Sequence, residues 1–303
     1  MVSGGGAREV RRFSFRDFPA SVFARRAATS TVCLPVLNEE RNLGATLAVL
    51  DELRESGVIE RVIVVAGGSV DASPAIARRS GALLVGPDDL LPDWGPLLGK
   101  GDALWRALSL VDTDLVAFFD ADLASFSADY VRGALGPLVV DERIAFVKAT
   151  FDRPLGNVPG QGGRVTEGFA RPLLGEFYPQ LRRFRQPLSG QIAARTAVLR
   201  ALPFATGYGI DIGLLIDAHR AGGFERMAEV DIGVLLNDHQ PAAALGQMAF
   251  QVGQTLLRRA ARDGLFDGPV PTEFLAFEDA VPARPRAVDL TVLERPPMDT
   301  VVG

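Results

Sequence analysis

The feature that most constrains this chain is a series of short segments, at residues 31–35, 61–66, 82–85, 115–119 and 144–147, that are apolar at almost every position. A strand with one face in water alternates polar and apolar residues, so segments without that alternation are buried on both faces. Between them run longer stretches with helical spacing. Residues 39–56 put Leu43, Leu47, Leu50 and Leu53 on one stripe, and residues 71–80, 101–111 and 130–140 follow the same pattern. This alternation predicts an α/β fold: a Rossmann-like, mostly parallel sheet flanked by helices. Ligands of such sheets bind beyond the carboxyl ends of the strands. The residues just after each apolar segment are therefore where chemistry is expected.

After Phe151 the rhythm changes. Residues 152–163 are rich in proline and glycine and read as a loop. Beyond it come a helical stretch at 166–183, a short strand at 191–194, a helix at 210–221, a strand at 226–236 and a final helix at 242–263. The chain divides into an N-terminal arm (1–28), a first α/β part (29–150), a smaller second part (151–280) and a Pro-rich tail (281–303). The tail is expected to run extended over the surface or into a partner subunit.

Composition excludes several classes. A formal charge of −5 argues against a nucleic-acid binder, which needs a basic surface. The one cysteine, Cys33, lies inside an apolar segment and reads as core, not nucleophile. Arg8, Arg11, Arg12, Arg16, Arg25 and Arg26 crowd the arm, but no apolar stretch follows them as in a secretion signal, and none approaches a membrane span. A soluble, cytoplasmic protein is expected, its arm packed onto the body through Phe13, Phe15, Phe18 and Phe23.

The strongest chemical signal is Asp120-Ala121-Asp122, directly after the segment 115–119. Two carboxylates one residue apart at a strand end can turn oxygens toward a hard cation that stabilises a diphosphate leaving group. The plainer alternative is that Asp120 ends the strand and Asp122 caps the next helix. Three other strand ends carry P-V-L-N-E-E (35–40), A-G-G-S-V-D (66–71) and, before an apolar helix, G-K-G-D-A (99–103). Glycines there permit close backbone approach to a nucleotide, Ser69 can donate to phosphate or ribose, and Lys100 offers a point charge for diphosphate.

This ordered set resembles the nucleotide-sugar domain of GT-A-fold glycosyltransferases. In the second half, G-R-V-T-E (163–167), G-Y-G-I-D-I-G (207–213) and Asp238-His239 are similar to the retaining glucosyl- and mannosyl-3-phosphoglycerate synthases. The resemblance implies nucleotide contacts from Pro35, Leu37, Asn38, Glu39 and Ser69. It sets Lys100 beside the diphosphate, Asp120, Ala121 and Asp122 at the sugar and metal, and Tyr208 and Asp211 toward the donor sugar. It implies a divalent metal (Mg, Mn or Co) held by Asp120, Asp122 and His239. It makes Gly163, Arg164, Val165 and Thr166 the acceptor-phosphate site, with Lys100, Asp120 and Asp211 as the catalytic set. His239 is one of two histidines, and the other, His219, sits within an amphipathic helix. The implied partners are a nucleotide-sugar donor, 3-phosphoglycerate and a second copy of the chain in a homodimer.

Two departures stand out. Many relatives carry an acidic residue, able to accept from uracil, where this chain has Ala66. That favours a guanine base and GDP-mannose, with GDP-glucose and UDP-glucose open. Gln240-Pro241 stands where a more polar acceptor-side pair is expected. The rivals are a synthase of the same fold with another acceptor such as a lipid phosphate, a sugar nucleotidyltransferase, and a non-catalytic nucleotide-binding regulator.

Overall fold

The computed structural model of the chain describes residues 9–24, 26–87, 89–155, 158–160, 162–237, 240–277 and 285–302. Its strands are β1 (Arg11–Ser14), β2 (Ser30–Val36), β3 (Arg61–Ala66), β4 (Leu83–Val85), β5 (Leu115–Phe118), β6 (Phe146–Asp152), β7 (Ile192–Arg195), β8 (Phe204–Ala205), β9 (Met227–Val234), β10 (Glu273–Phe277), β11 (Pro285–Asp289) and β12 (Glu294–Arg295). Eight of them form one sheet in the order β1-β9-β6-β7-β5-β2-β3-β4. Every neighbouring pair in it is parallel except those of β7, which runs antiparallel to both β5 and β6.

The apolar segments are continuous because each face of the sheet has its own core. Val32, Leu34, Val62, Val64, Leu115 and Ala117 pack on one side with the helices Glu40–Glu55 and Ala128–Val140. Cys33, Ile63, Val65, Val116 and Phe118 pack on the other with Gly99–Leu108, Ile210–Gly222 and Ala242–Arg262. The period of two is intact, and both phases of it are apolar. Cys33 is fully buried, and burial pushes its thiol far above the ordinary range, as a core residue requires.

One expectation is extended and two are revised. Within the expected arm, Arg11–Ser14 adds to the sheet edge beside β9, and Phe18 and Phe23 are buried behind it. The expected helix at 166–183 is a five-residue π turn (Thr166–Ala170), a helix (Arg171–Phe177) and a 3-10 turn (Pro179–Arg183). Pro179 has no amide hydrogen with which to continue the helix. Among the described residues, the tail from Pro285 to Val302 is folded onto its own chain. β12 pairs with β8, Met298 is buried, and Arg295 donates from Nε and Nη2 to the fully buried Asp102 at 2.8 and 3.0 Å. Prolines exclude a helix there, but the buried carboxylate of Asp102 demands cations, and the tail supplies one. No helix among the described residues is long and apolar enough to cross a membrane.

Candidate active site

Strands β2, β3, β5, β6 and β9 share a direction, and the residues that follow them line one cavity of about 770 Å3. Because β7 is antiparallel, its beginning lies at the same edge. Gln191, the residue before β7, therefore meets Asp120, the second residue after β5. The Asp120 amide donates to Gln191 Oε1 at 3.1 Å, and Gln191 Nε2 returns a bond to Asp120 Oδ2 at 2.8 Å.

Lys100 bridges two carboxylates in this cavity: its Nζ lies 2.7 Å from Asp120 Oδ1 and 3.0 Å from Asp211 Oδ2. Burial opposes the Lys100 charge, yet Asp120 and Asp211 together outweigh it and hold the ammonium protonated well beyond its usual range. Burial raises the Asp211 carboxyl, and Lys100 and Lys148 offset part of that rise. Lys148, fully buried on β6, donates from Nζ to the Asp211 carbonyl oxygen at 2.9 Å. Of the glycines flanking Lys100, Gly99 lines the cavity and Gly101 packs against β8. Gly99 has φ +74°, and a Cβ on Gly101 would overlap the Ala205 carbonyl oxygen.

Asp122 is held differently. Asn42 Nδ2 donates to its carbonyl oxygen at 3.3 Å and Asn237 Nδ2 to its Oδ2 at 3.1 Å. Its Oδ1 and the Oδ1 of Asn237 are both buried without a hydrogen-bond partner. Burial, followed by the charge of Asp120, raises the Asp122 carboxyl. Two orphaned oxygens on neighbouring side chains make the kind of donor set that a hard divalent cation satisfies, so these residues fit the expected metal. Asp120 fits it less well, since Lys100 and Gln191 already engage both of its oxygens. Among the described residues no group of three His, Cys, Asp or Glu side chains could hold a metal. The expected ligand His239, with Asp238, lies outside the described residues.

Of the expected nucleotide contacts, Pro35, Leu37, Glu39, Ala121 and Tyr208 line the cavity. Asn38 and Ser69 instead lace the loops after β2 and β3 together. The Asn38 amide donates to Ser69 Oγ at 3.0 Å, and Asn38 Oδ1 accepts from the Val70 amide at 2.9 Å. Asn38 does this with φ +57°, a conformation asparagine tolerates better than most residues. The same cavity is lined by Gly163, Arg164, Val165 and Thr166. Arg164 Nη2 donates to the Gln240 carbonyl oxygen at 2.9 Å, tying this loop to the chain just beyond His239.

Four residues escape the sequence reading: Gln191, Asn237, Lys148 and Arg153. Asn237 could have been found, since it stands one residue before Asp238-His239. Lys148 also left a signal, as a cation directly after the apolar segment 144–147. Gln191 could not, because nothing local to it gives the direction of β7.

Residues 31–147 match the glycosyl transferase family 2 domain. The glucosyl-3-phosphoglycerate synthase of Mycolicibacterium smegmatis is 38% identical over 284 residues, spanning 92% of this chain and 91% of that protein. The structure of mannosyl-3-phosphoglycerate synthase from Rubrobacter xylanophilus superposes with a TM-score of 0.89 at 31% identity, covering 97% of this chain and 96% of that one. Glucosyl-3-phosphoglycerate synthase from Mycobacterium tuberculosis, crystallised with Mn2+ and UDP-glucose, gives 0.83 at 34% identity, covering 96% and 99%. That protein has also been crystallised with Mg2+ and UDP, and with phosphoglyceric acid. Sequence identity of this extent over nearly the whole of both chains, on a shared mostly parallel sheet, makes this chain a member of the glucosyl- and mannosyl-3-phosphoglycerate synthase family of GT-A-fold glycosyltransferases.

Proposed function

We propose that this chain transfers glucose from a nucleoside-diphosphate glucose, UDP-glucose first among them, to the hydroxyl of 3-phosphoglycerate with retention at the anomeric carbon. The observation that carries the reading is a single cavity holding both ends of such a reaction. Pro35, Leu37 and Glu39, the Gly163–Thr166 loop, and the linked Lys100, Asp120 and Asp211 all line it.

A glucosyl donor is better supported than the mannosyl one expected from the sequence. The mannosyl expectation rests on Ala66, whose methyl is buried, while the neighbouring Val65 and Gly67 wall the cavity. Curated glucosyl synthases from Petrotoga mobilis, Mycolicibacterium smegmatis and Mycobacterium tuberculosis match over most of the chain. Mannose stays as the second reading on one observation, the TM-score of 0.89 to a mannosyl enzyme.

In this reading Asp122 and Asn237, with His239, hold a divalent ion. When bound, that ion neutralises charge developing on the leaving diphosphate. The bond from the anomeric carbon to the diphosphate breaks and a bond from the acceptor hydroxyl oxygen forms on the same face. The hydroxyl proton passes to the departing diphosphate. No second carboxylate is required as a nucleophile. Lys100 supports the diphosphate side, Asp120 and Asp211 orient hydroxyls, and Arg164 with Thr166 receives the acceptor phosphate. The chain's share is positioning and electrostatic stabilisation. We carry the homodimer forward as part of the proposal, and light scattering on the purified protein decides it.

The test is nucleotide release from UDP-glucose, GDP-glucose and GDP-mannose, with and without 3-phosphoglycerate and Mn2+ or Mg2+. Release that needs both acceptor and metal, fastest from a glucose donor, is the expected result. Asp122→Ala should abolish it. Release from GDP-mannose alone would replace glucose by mannose, and no acceptor-dependent release from any donor would overturn the assignment.

A further inference from the structure

Arg153 follows β6 directly and lines the cavity between the aspartates and the acceptor loop. Its stem is fixed from the loop side. The Gly162 amide donates to the Arg153 carbonyl oxygen at 2.8 Å, and the backbone of Gly162 lies so close that a Cβ there would stand 2.6 Å from Arg153 Cγ. Its head is not matched by a bond: Nε is buried with no hydrogen-bond partner, and among the described residues Arg153 forms no ion pair. The charges within reach are Asp122 and Asp120, which favour the guanidinium, and Arg164, which opposes it, while burial opposes it most of all. Lys100, by contrast, is already neutralised by two carboxylates.

This arrangement is incomplete as it stands. A half-buried guanidinium that makes no bond and carries a buried, unused Nε donor calls for an oxyanion, since an unmade bond to a charged group is expensive. The demand sharpens on the reading given above, because a divalent ion at Asp122 would repel Arg153 unless an anion came between them. The acceptor in that reading carries two anionic groups, a phosphate and a carboxylate, at opposite ends of a three-carbon chain. Arg164 and Thr166 provide for one. Arg153, bonded through its carbonyl to the same loop, is the other arginine among the described residues that line the cavity.

We propose that Arg153 receives the carboxylate of the acceptor and so selects a phosphorylated hydroxy acid over the corresponding phosphorylated polyol. The inference rests on the acceptor reading given above. The donor diphosphate is the competing source of an oxyanion, but the bonds that hold Arg153 in place come from the acceptor loop.

The test compares affinities of the wild type, Arg153→Gln and Arg153→Lys in the presence of Mn2+ and UDP, measured by titration calorimetry. The ligands are 3-phosphoglycerate and glycerol 3-phosphate, which keeps the phosphate and central hydroxyl but replaces the carboxylate by a hydroxymethyl group. Arg153→Gln should weaken 3-phosphoglycerate by about 10- to 100-fold, the worth of one charge-assisted bond. Glycerol 3-phosphate should change by less than about twofold, and Arg153→Lys should fall between. Unchanged affinity for UDP with Mn2+ shows that the variants are folded. An equal loss for both acceptors would assign Arg153 to the phosphate, a loss confined to UDP would assign it to the diphosphate, and no loss would make it a bystander. Each of these overturns the proposal. A wild type that binds neither acceptor brings down the acceptor reading itself, which the variants alone cannot do.

Discussion

Lys148 reaches from β6 to the underside of Asp211, where its Nζ donates to the main-chain oxygen while the carboxylate above it pairs with Lys100. Burial pushes its ammonium down from the usual 10.5 to about 8, despite the attraction of Asp211. Because the folded value lies below the unfolded one, the unfolded chain binds more protons between pH 8 and 10.5, and stability rises with pH across that window. Below pH 8 both states are protonated and the penalty is constant. Lys148→Met removes the titrating group, so wild type should gain on the variant by roughly 2–3 kcal/mol between pH 7 and pH 10. Urea midpoints at the two pH values check this, and parallel behaviour of the two proteins would mean that Lys148 stays charged throughout. At this scale the sequence showed single residues better than their partners. Asp120, Asp122 and Lys100 were legible because each follows a strand or opens a helix at the carboxyl edge. The orphaned oxygens of Asp122 and Asn237 were not, since they join residues 115 positions apart.

The central parallel strands were readable from their apolar runs alone, and β2, β3 and β5 begin or end within about a residue of the expected places, whereas the polar edge strand β1 was not. Direction was not readable, and β7 is where that matters. Its reversal brings Ser189, Gly190 and Gln191 to the catalytic edge, with Gly190 packed directly under the Lys100–Asp120 pair. A Cβ on Gly190 would overlap both Asp120 Oδ2 and Lys100 Nζ. Gly190→Ala should therefore displace the pair without removing any polar group. A shift of about 1 Å in such a pair is expected to lower kcat/KM by about 100-fold, with a stability loss of only about 1–3 kcal/mol. Steady-state kinetics beside a thermal melt separate the two effects. Activity within about twofold of wild type would show that the pair has room to move and that its geometry is not what the reaction needs.

At the scale of the whole molecule, Arg11–Ser14 joins the main sheet and Glu294–Arg295 pairs with β8, so segments far apart in sequence brace the body that carries the site. The carboxyl-terminal segment reaches the helix that begins at Gly99 and bears Lys100. Arg295 grips Asp102, the third residue after Gly99, and Trp105 Nε1 donates to the Pro296 carbonyl oxygen at 2.8 Å. Arg295 also lies over the rings of Trp94 and Trp105, at 5.7 and 5.4 Å from their centroids. Asp102 has a second cation in Arg106 at 3.3 Å and accepts from the Leu98 amide at 2.8 Å. Losing Arg295 therefore weakens the carboxylate's surroundings without stranding it. Arg295→Met should cost about 3 kcal/mol, toward the low end for breaking a buried pair. Deleting residues 292–303 should cost more, because Val292 and Met298 leave the core with it. If the segment orders the Lys100 helix, both variants lose donor affinity in proportion to stability, and added UDP with Mn2+ restores part of the melting temperature by binding only the folded form. A truncated chain that melts with the full-length protein would make the tail an accessory, and its contacts with Asp102 and Trp105 would then be consequences of the fold and not a condition of it.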